Sequence, residues 1–133
     1  MKKIADLHSY LLSLDVFAAE QLNSEVDDLT ITPAYYPDGA NVVVCEQSYT
    51  AMFFIERYAH AKVSTDVLFA HISRWLMEND TGSTAPLPFT VIVDVLDHKT
   101  ANLEFGIRFN ENITAVADVN GTLLINGVKY ALT

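Results

Sequence analysis

The hydrophobic positions of the chain follow a helical spacing in two segments. Near the N-terminus, apolar residues recur at intervals of three and four: Ile4, Leu7, Leu11 and Leu14. This spacing places them on one face of a helix, which we expect over residues 3–14. A second stripe is similar: Leu68, Ile72, Trp75 and Leu76. It predicts a helix over residues 64–79, in which Ser64 serves as the N-cap.

Two segments in the second half of the chain show the spacing of β-strands. In residues 102–109 apolar and polar side chains alternate, which predicts a strand with one buried face. Residues 89–96 carry apolar side chains on both faces, which is typical of a central strand covered on both sides. Asn120-Gly121 gives the strongest hairpin signal. Asn126-Gly127 gives a second, so a C-terminal meander is expected.

The first half of the chain predicts a hairpin with one unusually long arm. Its first strand is expected to end at Pro33, and Pro37-Asp38-Gly39 is a strong turn signal. Nothing breaks a strand between Asn41 and Tyr58, yet this many extended residues would span roughly 60 Å. We therefore expect either a bulge or bend near residues 46–48 or a long protruding hairpin.

These elements predict one α+β domain over residues 1–133. Its sheet is expected to be twisted and mainly antiparallel, with the helices packed on one face. Trp75, near the end of the second helix, is expected to pack against the sheet near Phe105 or Val93. The loop that follows this helix is expected at residues 81–84.

The charge balance argues against a grip on nucleic acid. The net charge is −9, from 17 acids against 8 bases, and the bases are scattered rather than clustered. A negative surface also keeps the chain off anionic membranes.

Cys45 is the only cysteine, so no internal disulfide is possible, and a free thiol suits a reducing compartment. We expect a cytosolic protein.

The sequence offers no convincing catalytic or metal-binding pattern. The histidines form no zinc motif, and Cys45 lacks a CxxC partner. Asp97-His98-Lys99 is more simply a solvated turn than an acid–base pair. The acids at residues 25–28 lack the glycine and the final glutamate of a calcium loop. We therefore expect no catalytic residue, no cofactor and no metal, and hence no enzyme.

The aromatic residues allow two interpretations. Several large rings lie between Tyr49 and Trp75, more than one small face must bury. The simpler interpretation is a core packed on both sides of the sheet. The alternative is a subunit interface, where large aromatics anchor binding. The candidate interface residues are Tyr49, Phe54, Tyr58 and Ile92.

A serial match over residues 49–113 gives the chain a family resemblance. The matching pieces, in order, are Tyr49-Thr50, the apolar run to Ile55, Arg57-Tyr58-Ala59, Trp75-Leu76 with Asn79, Phe89…Asp94-x-Leu96 and Ala101…Glu111. Together they resemble the tail-completion protein R family of contractile-tailed phages and prophages. The first hairpin and the short C-terminus depart from the family pattern. By wider analogy the chain is similar to tail-terminator proteins, which form rings that cap the tail tube.

The resemblance implies a structural protein that completes a phage tail. Its expected partners are tail-tube or head-completion proteins and further copies of itself in a ring, first in the host cytoplasm and then in the virion tail. Two alternatives remain open. One is a small acidic inhibitor or immunity protein, whose acids would cluster on one face to bind a basic toxin. The other is a small enzyme with an unrecognised site, which would require a deep pocket with convergent polar groups.

Overall fold

Two helices and six strands account for most of residues 1–80 and 88–133, which are the residues that the computed structural model describes. In chain order they are α1 (Lys2–Ser13), β1 (Leu22–Asp38), β2 (Asn41–Tyr58), α2 (Thr65–Asn79), β3 (Val91–Val95), β4 (Ala101–Ala117), β5 (Leu123–Ile125) and β6 (Val128–Leu132). The predicted α+β class with a mainly antiparallel sheet is confirmed. The loop predicted at residues 81–84 lies outside the described residues.

Both helices form where the apolar spacing predicts them. The hydroxyl of Ser64 accepts a hydrogen bond from the backbone N–H of Asp66 at 3.2 Å and so caps α2. The apolar stripes that the spacing predicted are buried. The buried residues are Ile4, Leu7 and Leu11 in α1 and Leu68, Ile72, Trp75 and Leu76 in α2. Helix formation here is therefore driven by the burial of one apolar face on each helix.

The sheet runs in the order β1-β2-β4-β6-β5, and β3 pairs with β4 outside this path. The expectation that β3 is a central strand covered on both sides is wrong. Val91 is half-buried, but the other four residues of β3 are exposed, including Ile92 at 58% and Val95 at 62%. The two-faced apolar pattern is correctly located on a strand, but among the described strands β3 lies at an edge, with β4 as its one neighbour.

The backbone packs as two compact units. Unit 1 comprises residues 1–28 and 49–109, and unit 2 comprises residues 29–48 and 110–133. Strands β1, β2 and β4 each contribute residues to both units. The prediction of one domain is not tested by this division, because compact units can belong to one folding domain.

The main hydrophobic core belongs to unit 1. Its buried cluster combines the apolar faces of α1 and α2 with alternate residues of β2 and β4. Trp75 packs against the sheet as expected, but its neighbour is Phe109, with ring centroids 6.3 Å apart in an edge-to-face arrangement. Phe105 instead stacks on Phe53 at 5.3 Å, and Val93 is exposed. Trp75 thus contacts β4 four residues further along the strand than Phe105, the contact that the sequence suggested.

Strand β2 keeps its alternation through residues 46–48, so its burial pattern shows no bulge there. Of the two alternatives the long hairpin fits better, because β1 and β2 pair and β2 runs unbroken from Asn41 to Tyr58. Val43 and Tyr49 are both buried and share one face. The phase changes instead at Arg57, whose φ of 53° lies in the left-handed region, and Tyr58 then turns inward. Pro33 does not end β1 either, because β1 is an edge strand and an edge tolerates a missing N–H.

In unit 2, β6 pairs antiparallel with both β4 and β5. Asn126 and Gly127, with φ of 48° and 81°, form the two-residue turn between β5 and β6. Asn120-Gly121 does not join two neighbouring strands, so the strongest hairpin signal is wrong as a hairpin. A Cβ on Gly121 would collide with the carbonyl oxygen of Tyr130, so glycine is required here by a close backbone approach.

Candidate interaction surfaces

Tyr49, a candidate interface residue, lies fully buried in the core of unit 1. Its ring packs edge-on against Phe109, with centroids 5.9 Å apart. Its hydroxyl accepts a hydrogen bond from the backbone N–H of Ile4 at 3.3 Å. This N–H is in the first turn of α1, where backbone donors lack a helical acceptor. Tyr49 therefore holds the start of α1 against the sheet, which favours the core interpretation for this residue.

Tyr58 is also fully buried, and its position favours the same interpretation. Its ring packs against Phe17 with centroids 6.4 Å apart. Its hydroxyl has no hydrogen-bond partner among the described residues. Burial raises the pKa of this hydroxyl above its usual value, because desolvation disfavours the phenolate. A buried hydroxyl without a partner lowers stability, so Tyr58 contributes to the core at a cost.

Phe54 and Ile92 are placed differently, on the sheet face opposite the helices. Phe54 points away from the buried Phe53 and Ile55 because successive side chains of a strand alternate. Ile92 pairs with Glu104 across β3 and β4, and it is 58% exposed. The structure thus brings two of the four candidate interface residues to one open surface. Their role in an interface stays a prediction.

This surface is a groove of about 730 Å³ within unit 1, which we call the outer groove. It crosses β1, β2, β4 and β3. Its lining residues are Asn23, Glu25, Phe54, Ile55, Glu56, Ile92, Val93, Asp94, Asn102, Leu103 and Glu104. Four of them are carboxylates, and no lysine, arginine or histidine is among them. The groove therefore combines apolar side chains with an uncompensated negative charge.

Sequence reasoning missed the acidic side of the outer groove. Its four carboxylates come from four different strands: Glu25, Glu56, Asp94 and Glu104. Period-two alternation does place Glu104 opposite the buried face of β4. Which strands are neighbours, and in which register, is set by tertiary packing and not by any local pattern. The signal was present in each strand, but the cluster exists only after the strands are ordered.

Unit 2 presents apolar side chains to solvent on a thin sheet. Its exposed large hydrophobic residues are Leu29, Ile31, Tyr35, Tyr36, Val119, Leu123, Leu124, Val128 and Leu132. Among its described residues only Val43 and Ala115 are buried hydrophobic residues. The exposed residues are spread over β1, β5, β6 and the turn before β5, so unit 2 exposes apolar side chains along most of its length.

Two tyrosines of unit 2 have shifted titration. The Tyr36 hydroxyl donates to the Glu46 carboxylate at 2.8 Å, and this bond raises the pKa of Tyr36. A hydrogen bond with Tyr35 likewise raises the pKa of Tyr130. Both shifts favour the protonated hydroxyl, which a tyrosine already carries near neutral pH at its ordinary pKa of about 10. These side chains therefore act as neutral hydrogen-bonding groups rather than as acids or bases.

The turn at Asp97-His98-Lys99 is organised as a local cap. The Asp97 carboxylate accepts hydrogen bonds from the backbone N–H groups of Lys99 at 2.8 Å and Thr100 at 2.7 Å. These bonds lower the pKa of Asp97. A carboxylate engaged in this way closes a turn.

In residues 1–80 and 88–133, no group of three or more histidine, cysteine or acidic side chains is arranged to hold a metal ion.

A family model described as P2 phage tail completion protein R (GpR) matches residues 1–132, and the chain belongs to this family. That description names tail completion as the role of the family. The predicted family resemblance is confirmed and extends over nearly the whole chain.

One relative comes from Haemophilus phage HP1 (strain HP1c1), where it is described as an uncharacterized 19.2 kDa protein in the rep-hol intergenic region. The two sequences are 37% identical over 95 residues, which cover 68% of this chain and 56% of that protein. The match thus spans little more than half of the relative's length. No solved structure matches the chain. No helix in the described part of the chain has the length and apolar character needed to cross a membrane.

Proposed function

We propose that the protein completes the tail by associating with further copies of itself in a ring and by contacting the tail tube. Family membership supports a role in the phage tail. The exposed apolar residues of unit 2 support association with other subunits. A ring requires a heterologous interface that closes on itself. In this proposal the protein has no catalytic role. It acts first in the host cytoplasm and then in the virion tail.

The observation that carries the proposal is that unit 2, in its described residues, exposes nine large hydrophobic residues and buries only two hydrophobic residues. Leu124 is 65% exposed, Leu132 is 66% exposed and Val119 is 84% exposed. Single exposed apolar residues are ordinary, but a group of this size on one small unit favours a docking surface. Covering these side chains with another subunit would remove apolar area from water, which is the main favourable term in protein association.

Deletion of the gene from its phage or prophage tests the tail role. We expect filled heads and tails that fail to join, or tails of uncontrolled length, as seen by electron microscopy. A plasmid copy of the wild-type gene is expected to restore infectious particles. Normal particles from the deletion strain would contradict the proposal.

A matched pair of charge substitutions tests the association surface. Leu124→Asp places a carboxylate on the exposed apolar surface of unit 2. Val67→Asp makes the same chemical change at an exposed position in the first turn of α2, where an acid is tolerated by the helix dipole. We expect Leu124→Asp to fold normally but fail to complement the deletion, and Val67→Asp to complement. Equal complementation by both would remove unit 2 as the association surface.

The inhibitor alternative predicted acids clustered on one face, and the outer groove has this feature. Family membership supports the tail role over the inhibitor role, so we retain the tail role as the proposed function. The deletion experiment separates the two, because a toxin inhibitor would leave particle assembly intact and instead affect survival of the cell.

A further inference from the structure

We propose that β3 binds a strand of another tail protein in which basic and apolar side chains alternate. The added strand would pair with the open edge of β3. Its basic side chains would lie on the side of the outer groove, and its apolar side chains on the helix side. This inference rests on the proposed tail function only in taking the partner to be a tail protein. The chemistry of the partner comes from β3 and the groove.

The first argument is the contrast between the composition of β3 and its position. An exposed apolar edge strand invites pairing with another chain, and natural proteins normally guard such edges with charges, prolines or bulges. In β3 the only charged residue is Asp94, and β4 is its only neighbour among the described strands. Ile92, Val93 and Val95 are each about half exposed or more. A strand added here would cover side chains on both faces at once.

The register of β3 on β4 determines which side chains lie beside each face of the added strand. Val91, Val93 and Val95 pair with Phe105, Leu103 and Ala101, whose side chains are buried on the helix side. On the other side, Ile92 pairs with Glu104 and Asp94 pairs with Asn102. An added strand therefore meets a ladder of valines on one side and carboxylates beside Ile92 on the other. Alternating apolar and basic residues match both sides.

The negative charge of the outer groove favours a partner strand that carries positive charge. Asp94 lies on β3 itself, Glu104 lies one strand further in, and Glu25 and Glu56 add to the negative field of the groove. Carboxylates gathered in one concave surface attract cations more strongly than isolated ones do. Lysine and arginine have side chains long enough to reach past the neighbouring strand. The favoured occupant therefore carries at least two basic residues on one side.

A second copy of this chain does not fit the site. Two β3 strands paired antiparallel would bring the carboxylates of both grooves to the same side of the joined sheet, where they repel each other. None of the described strands of this chain carries two basic residues on one side. The occupant is therefore a strand of a different protein.

Peptide binding to the full-length protein tests the inference directly. The probe is a fluorescent peptide of about eight residues, a common strand length, in which lysine and valine alternate. A peptide of the same composition, with all lysines before all valines, is the control for strand geometry. We expect the alternating peptide to bind about tenfold more tightly, a difference of about 1.4 kcal/mol. Binding is expected to weaken as salt rises, because salt screens the charge contacts.

A pair of double variants tests the location. Asp94→Lys with Glu104→Lys reverses charge beside β3, whereas Asp6→Lys with Glu78→Lys makes the same net change on α1 and α2. Both control carboxylates are in exposed ion pairs within their helices, with Lys2 and Arg74, which contribute little to stability. We expect the first variant to bind the alternating peptide at least about tenfold more weakly and the control to bind like wild type. A peptide that alternates glutamate and valine is expected to prefer the first variant.

Several results would overturn the proposal. They are equal binding of the alternating and block peptides, equal binding by the two double variants when both unfold at the wild-type temperature, and no binding of any peptide. In assembling particles, a photoreactive residue in place of Ile92 is expected to cross-link to a basic, strand-forming segment of another tail protein. Cross-linking to a second copy of this chain would also overturn it.

Complementation separates this inference from the tail function. If the deletion leaves normal particles, the tail role fails. If the deletion blocks assembly but Asp94→Lys with Glu104→Lys complements fully, only the proposed strand site fails.

Discussion

Units 1 and 2 use similar amounts of strand but differ sharply in what they bury. Unit 1 has helices over one sheet face and a continuous core of aromatic and aliphatic side chains. Unit 2 is strand and turn, and among its described residues only Val43 and Ala115 are buried hydrophobic residues. Because hydrophobic burial is the dominant favourable term in folding, unit 1 supplies most of the stability. Unit 2 displays its apolar residues instead of burying them, as expected for a surface that completes its packing in an assembly.

The largest expected effect that tests this contrast is in unit 1. Trp75→Ala removes a buried ring that contacts Phe109 and Tyr10, so we expect a loss of about 3–5 kcal/mol in the free energy of unfolding. Leu124→Ala in unit 2 is the matched control, and because Leu124 is exposed its effect is expected within about 0.5 kcal/mol. Denaturant unfolding measures both. A loss below about 1 kcal/mol for Trp75→Ala would contradict the assignment of the core.

The second prediction tests whether unit 2 has any core of its own. Val43 is fully buried, and Val43→Ala removes two methyl groups from a small cluster, so we expect a loss of about 1–3 kcal/mol. Val128→Ala, at an exposed position in the same unit, is the control. If both substitutions have equal, small effects on denaturant unfolding, unit 2 is held by its backbone hydrogen bonds alone.

The third prediction concerns a defect within the well-packed unit. Tyr58→Phe removes a buried hydroxyl that has no partner among the described residues, so we expect a gain in stability of about 1 kcal/mol. The folded pKa of Tyr58 is raised, so wild-type stability does not depend on this group below the unfolded value of about 10, and it falls as pH rises above that value because only the unfolded state then loses the proton. The gain from Tyr58→Phe should therefore grow at alkaline pH in urea unfolding. A loss of stability would show that the hydroxyl is satisfied.

The smallest predicted effect is at the turn between β3 and β4. The folded pKa of Asp97 is lowered, so its contribution is present above the unfolded value of about 3.9 and is lost as pH falls through the folded value. Asp97→Ala is therefore expected to lower the unfolding midpoint at neutral pH and to approach wild type as pH falls below the folded pKa of Asp97. Thermal unfolding across this range measures the difference. A difference that does not change with pH would mean that the carboxylate's charge is not what closes the turn.

The elements that could be predicted from sequence are those with a local signal. Helices α1 and α2, the alternation in β4 and the Asn126-Gly127 turn all follow from spacing and turn chemistry within a few residues. Tyr49 was ambiguous because a large ring suits a core and an interface equally well. Its burial follows from the position of α1, which local spacing does not fix.

The errors concern strand neighbours. Apolar residues on both faces of β3 indicated a central strand, and the pattern itself was correct. Among residues 1–80 and 88–133, β4 is the only strand that pairs with β3. In the same way, Ile92 and Phe54 were identified singly, but the carboxylates around them are gathered only by the order of the strands. Sequence pattern therefore described the preferences of each strand better than its position.

The chain has one tryptophan and one cysteine, and they lie in different units. Trp75 is buried in unit 1, so its fluorescence reports on the solvent exposure of that core. Cys45 is half-buried in unit 2, so the rate at which its thiol reacts with a labelling reagent reports on local opening there. The unaltered protein thus carries an independent optical and chemical reporter for each unit. Slowed labelling with unchanged tryptophan emission in the presence of tail proteins would show that a partner has covered unit 2 while the core of unit 1 stays as it was.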